Sequence, residues 1–183
     1  MFIHRYAKKK WLNFKFIYVF SAIVWLLLVG TKSQENNHIK SVIENLEKIC
    51  YFVTWPQNDL EPGSEFVIAV DANDEVYRTI QSSYANSTIK QRKVKVHPAS
   101  QIANQQLVQV LILAQTVSSI DINKFKNYHI LIISIPESPI REEAAIQFID
   151  SNSKMPFAVN LRRIKESGLE INHLLLKEVK VLQ

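Results

Sequence analysis

The sequence predicts an α/β fold, a three-layer sandwich built on a mostly parallel sheet, with an antiparallel C-terminal hairpin at one edge. Four strand-length runs at 65–71, 88–96, 107–113 and 129–135 are separated by connectors long enough for helices. That alternation gives parallel sheets with helices on both faces. Three of the runs, 65–71, 107–113 and 129–135, are nearly continuous in Val, Ile, Leu and other apolar residues, as strands covered on both sides must be. The hairpin is predicted because 145–149 and 155–159 flank the polar loop 150–154, a connection of hairpin length.

The elements follow in order from the residues. Ile39, Ile43, Leu46, Cys50 and Val53 recur at three- and four-residue spacing, with Val42 and Ile49 widening the stripe, so the domain opens on an amphipathic helix with Cys50 toward the core. Ser41 with Glu44 three residues on fits a capping box, while Ile39 points to an earlier start of the helix. Trp55-Pro56 ends the helix, because the residue before a proline is pushed out of the helical region. Residues 58–59 and 61–64 make a surface turn. Val76, Tyr77, Ile80 and Tyr84 put a helix over 74–84, and Val117, Ile120 and Phe125 suggest a short one between the third and fourth strands. Pro156 cannot donate a ladder bond in a central strand, so the hairpin is expected at an edge. Asn160 caps a short helix that Gly168 ends; Asn172 caps a last helix bearing Leu175, Leu176 and Val179.

The chain has 183 residues and a formal charge of +5, but the charge is unevenly placed. Residues 1–33 hold Arg5, Lys8, Lys9, Lys10, Lys15 and Lys32 and no acidic side chain, leaving 16 basic against 17 acidic from Gln34 onward. The basic start precedes the apolar run 16–29 and small residues at Thr31 and Ser33. This pattern reads as a secretory signal peptide over 1–33, cleaved after Ser33, and a single periplasmic domain over 34–183. The alternative is an uncleaved anchor tethering the domain to the inner membrane, for which the apolar run is short of the roughly 20 residues a span needs. The stretch Lys90, Arg92, Lys93, Lys95 has no interleaved aromatic for base stacking and reads as protection of a sheet edge, so no nucleic acid is expected.

Catalytic arrangements are absent from the sequence. Three glycines cannot build a glycine-rich phosphate cradle, and neither Gly-x-Ser-x-Gly nor His-Glu-x-x-His occurs. His4, His38, His97, His129 and His173 stand singly, so no metal is expected; Glu142-Glu143 is an adjacent carboxylate pair near a strand. Cys50 is the only cysteine, which excludes an intrachain disulfide. The composition therefore predicts no enzyme and no cofactor.

Two blocks remain. The opening helix runs into Ile49-Cys50-Tyr51-Phe52-Val53-Thr54-Trp55-Pro56. The end of the chain holds Phe157-Ala158-Val159-Asn160-Leu161, then 162–167, then Gly168-Leu169-Glu170-Ile171-Asn172 and Leu174-Leu175-Leu176. In this order, after an export segment, they resemble the YfiR family of small exported bacterial regulators. The resemblance implies a periplasmic α/β domain that represses the sensor part of an inner-membrane signalling protein, a diguanylate cyclase or a histidine kinase, in the cyclic-di-GMP pathway. Partner- or ligand-binding residues expected on this basis are Trp55 and Phe157 for aromatic area, with Asn160 and Arg163 for polar contacts. A homodimer is left open. The alternative is a periplasmic small-molecule binding module. Two departures stand out: the family's cysteine pairs are missing, and Arg141-Glu142-Glu143-Ala144-Ala145 replaces a glycine-rich lead before the hairpin.

Overall fold

The computed structural model describes residues 37–56, 63–115, 117–126, 128–149 and 155–182. The chain divides into Met1–Asn37 and His38–Gln183, and the second unit is the α/β domain. Residues 1–33, where an export segment is expected, most of the turn after Pro56 and the hairpin loop 150–154 lie outside the described residues.

The domain opens with helix α1 over 37–52 and strand β1 (Val53–Thr54). β2 (Phe66–Asp71), α2 (Asp74–Tyr84), β3 (Thr88–Ile89), β4 (Arg92–Pro98), β5 (Val108–Leu113), α3 (Asn123–Lys126) and β6 (Leu131–Ser134) follow. The chain closes with β7 (Ile146–Phe148), β8 (Phe157–Asn160), α4 (Leu161–Glu166), β9 (Glu170–Ile171), α5 (His173–Leu176) and β10 (Lys180–Leu182). The main sheet runs β10-β8-β7-β6-β5-β2-β4-β3; β1 and β9 form a separate antiparallel pair. Ladders are parallel from β4 through β2, β5 and β6 to β7, and antiparallel at β7–β8 and β3–β4. This is the predicted mixed α/β sandwich. The chain leaves β2 for β4 on one side and returns to β5 on the other, so β2 and β5 flank the point where strand order reverses.

The two sheet faces bury different sets. Phe66, Ile68, Val70, Val110, Ile112, Leu131, Ile133, Ile146, Phe148, Phe157 and Val159 pack toward α1 and α2. Ala69, Leu111, Leu113, Ile130 and Ile132 pack under α3 and the connector around Ala99. The period-2 split of each strand is what puts alternate residues in the two clusters. Between Val67 and Ile68 the β2–β5 register slips by one residue. There the Gln109 side chain accepts from Val67 N–H at 2.7 Å, supplying the acceptor that the bulge removes.

Several local expectations are revised. α1 is already helical at residue 37 and Ser41 is buried within it, so Ser41 and Glu44 are not a capping box. The run 88–96 is two strands joined at Lys90-Gln91, both with positive φ (52° and 62°). The last helix stops at Leu176, and 180–182 instead pair in parallel with β8, outside the hairpin. Pro156 permits this because it precedes β8, and its carbonyl accepts from the N–H of Ile149, just past β7, at 2.8 Å. The caps at Asn160 and Asn172 form as expected, each side chain accepting a backbone N–H from the first turn of its helix.

Cys50 is fully buried, and burial pushes its thiol above its ordinary value of 9.0. Burial also raises the Tyr84 hydroxyl above 10.0, and that hydroxyl donates to the Ile43 carbonyl at 2.8 Å. Both groups stay protonated when folded and ionise first in the unfolded chain, so their contribution is complete below pH 9 and declines as pH rises above it. The thermal midpoint should therefore fall between pH 8 and pH 10.5. A flat profile over that interval in a melting series would contradict the burial of both groups.

Candidate functional site

The four residues expected to serve binding are not gathered in one place. Asn160 and Arg163 share the start of α4. Asn160 is buried, and its side-chain oxygen accepts the Arg163 N–H at 3.2 Å, so it caps the helix. Phe157 is 0 % exposed and packs on Phe148 in the core, with ring centroids 5.5 Å apart. Trp55 is 3 % exposed and meets Phe66 edge-on at 5.8 Å. Neither aromatic ring offers contact area at the described surface.

Arg163 sits at the centre of a charged cluster. Its Nη2 lies 2.8 Å from Glu143 Oε2, its Nη1 lies 2.8 Å from Glu166 Oε2, and its Nε donates to the Glu142 carbonyl at 3.1 Å. Lys126 Nζ reaches the same Glu143 oxygen at 2.9 Å. The fork geometry of a guanidinium is what lets one side chain tie α4 to the turn Arg141–Glu143 and, through Glu143, to α3. The cluster rims a cleft of about 60 Å³ floored by Phe125, Ile130, Ile132 and Ala145. Glu142 and Glu143 fall on a 3₁₀ turn rather than a strand. Only Glu143 joins the cluster through its carboxylate, because Arg163 meets Glu142 through its carbonyl.

Gly168 fixes the far end of α4. Gly168 N–H donates to the Lys165 carbonyl and Leu169 N–H to the Ile164 carbonyl, the paired bonds that end a helix at a left-handed residue. Its φ is +65°, and a Cβ there would stand 2.7 Å from His129 Nδ1, itself 2.9 Å from the Ser167 carbonyl. Both the conformation and the space require glycine. Gly168→Ala should lower stability by about 2 kcal/mol, read as a reduced denaturation midpoint with an unchanged m-value; equal midpoints would contradict the packing of His129 on this turn.

A second surface lies where α1 meets the β3–β4 turn. Glu47, Tyr51, Thr88, Ile89, Lys90 and Gln91 line a groove of about 560 Å³. Tyr51 is 77 % exposed, because the same periodicity that buries Ile49 and Cys50 turns it outward. Lys90 Nζ stands 5.8 Å from the Trp55 ring centroid, so Trp55 backs this surface.

The third place is the carboxyl end of the sheet, beside the strand-order reversal, where open α/β sheets hold ligands. Asp71 ends β2 there and is 2 % exposed. Its carboxylate accepts from Gln115 Nε2 at 2.5 Å, Ser118 Oγ at 2.7 Å, and Ser119 Oγ and N–H at 2.7 and 3.3 Å. Sequence reasoning passed over Asp71; its signal was an acidic residue closing an otherwise apolar strand. His38, buried at the start of α1, pairs with Glu137 at 2.9 Å beyond β6.

Among the described residues no group of three His, Cys, Asp or Glu side chains could hold a metal ion, and no helix is long and apolar enough to cross a membrane. A search of curated proteins finds no match to the chain. A family model described as YfiR/HmsC-like matches residues 40–178, a span running from α1 to the residues just before β10. The chain belongs to the YfiR/HmsC-like family.

Proposed function

We propose that this protein is an exported periplasmic regulator, without catalytic activity, that binds and represses the sensor part of an inner-membrane signalling protein such as a diguanylate cyclase. The observation that carries the reading is family membership over residues 40–178, most of the α/β domain. The basic, apolar start of the chain supports export. In mechanism, a module that binds one state of a receptor more tightly than the other shifts the receptor toward the bound state by that difference in affinity.

The residues assigned to partner contact divide by position. Arg163, with a fifth of its side chain exposed, and its ring of Glu143, Glu166 and Lys126 supply the polar surface. Asn160 holds the first turn of α4 in place beneath Arg163, Trp55 backs the groove beside Lys90, and Phe157 acts through the core layer it forms with Phe148. The test is a reciprocal pull-down of the full-length chain against the membrane-bound diguanylate cyclases and histidine kinases of its own cell. Arg163→Ala should weaken capture about tenfold, equivalent to about 1.4 kcal/mol, with the thermal midpoint recorded alongside. Unchanged capture by a folded Arg163→Ala protein removes Arg163 from the contact.

A second reading, a small-molecule binding module, draws on the cleft beside Arg163, which sets a charged rim over an apolar floor and at about 60 Å³ admits a group of only a few atoms. A ligand retained through purification and lost in Ile132→Trp would support it.

A further inference from the structure

Arg92 opens β4 and is 7 % exposed. Guanidinium groups this deeply placed are ordinarily paired with a carboxylate. Arg92 is not. Its Nε donates to the Ser64 carbonyl at 3.0 Å, and its Nη2 donates to Ser64 Oγ at 2.6 Å and to the Glu65 carbonyl. All three acceptors are neutral, and the Glu65 carboxylate is turned to Lys95 at 3.6 Å. Its Nη1 is buried with no hydrogen-bond partner.

A second orphan donor belongs to a side chain that packs on the same Phe66 ring. The indole Nε1 of Trp55 is also buried without a partner. The Phe66 ring joins the two, with the Arg92 guanidinium carbon 5.8 Å from its centroid and the Trp55 ring 5.8 Å away edge-on. Lys90 then places its ammonium 5.8 Å from the Trp55 ring while lining the groove outside. A positive charge and two N–H donors without acceptors around one aromatic ring are the complement of an anion that brings its own oxygens. Desolvation already lowers the affinity of Arg92 for its proton, the strain that a bound negative charge relieves.

We propose that Arg92, Trp55 and Lys90 form a binding site for a small oxyanion, a carboxylate or phosphate group, entered from the Tyr51–Lys90 groove. The exposed Lys90 side chain draws the anion in and moves aside. Arg92 Nη1 and the Trp55 indole N–H then take its oxygens. The positive φ of Lys90 and Gln91, held by two residues that do not favour it, sets the ammonium over Trp55. The site requires neither the receptor contact at Arg163 nor any catalytic step.

The experiment uses the full-length chain, ¹⁵N-labelled at tryptophan, with the Trp55 indole N–H resonance assigned by its loss in Trp55→Phe. Sodium phosphate and sodium acetate are titrated separately against sodium chloride at equal ionic strength. One of the two oxyanions should move the Trp55 resonance saturably where chloride does not, and the more effective one identifies the class. Arg92→Lys, which keeps the charge but loses the fork, and Lys90→Gln, with the thermal midpoint of each recorded alongside, should each weaken the apparent affinity about tenfold. An unmoved Trp55 resonance in both titrations, an equal response to chloride, or full affinity in folded Lys90→Gln overturns the proposal.

Discussion

Phe157→Ala should leave the domain barely folded. Phe157 is completely buried and packs on Phe148; removing a buried Phe side chain typically costs about 3–5 kcal/mol through lost transfer energy and the cavity left behind. A domain of this size is stable by only about 5–15 kcal/mol in total, so the loss takes up a large part of it. β8 is also flanked on both sides by short strands, β7 with three residues and β10 with three. Neither can hold the ladder if the Phe148–Phe157 layer loosens. Chemical denaturation should show the midpoint shifted by this amount with the slope preserved. A shift below about 1 kcal/mol would mean that the layer repacks. Loss of partner capture in this variant would therefore report unfolding, whereas Arg163→Ala tests the surface itself.

Asp71→Asn should destabilise by about 2–4 kcal/mol, although it changes a single atom. The Asp71 carboxylate accepts four bonds, and three of the donor groups, the side chains of Gln115, Ser118 and Ser119, have been drawn in from one loop. An amide turns one of the two acceptor oxygens into a donor, which faces donors already in place. Each buried donor left without an acceptor costs about 1–3 kcal/mol, and bonds to a charged group are the stronger kind. The loop over 115–119 should loosen first, so amide exchange at Ser118 and Ser119 should accelerate more than exchange in β5 behind it. Uniform acceleration across the sheet would contradict a local role for Asp71 and make it a general core residue.

The strands with unbroken apolar runs were legible because burial on both faces leaves one composition available. β2, β5 and β6 lie within a residue or two of their expected bounds, and α2 matches 74–84. What escaped depends on contacts distant in sequence or on residues without a local signal. Lys90-Gln91 is not a turn pair by composition, and the β3–β4 reversal is imposed by the pairing of Thr88 with Lys93 and Ile89 with Arg92. Lys180–Leu182 carries too short a pattern to read as a strand and becomes one only beside Ala158, Val159 and Asn160.

The site was legible in part. Asn160 was read as a helix cap and is one, because a cap is a local bond. Arg163 was named without its partners, since Glu143 lies 20 residues upstream and Lys126 farther still. The aromatic blocks at Trp55 and Phe157 were visible as composition, but composition does not tell a ring beneath a surface from a ring upon it. Arg92 was read among surface lysines; alternation along β4 instead turns it inward with Val94 and Val96 while Lys93 faces out.

The claim that this protein represses an inner-membrane signalling protein is tested most directly by the cyclic-di-GMP content of cells lacking it. Deletion of its gene should raise the cellular level, and restoring the full-length chain should return it to the starting value. Residues 34–183 without the export segment should fail to do so. A level unchanged by deletion, or restored equally by the unexported domain, would contradict the account.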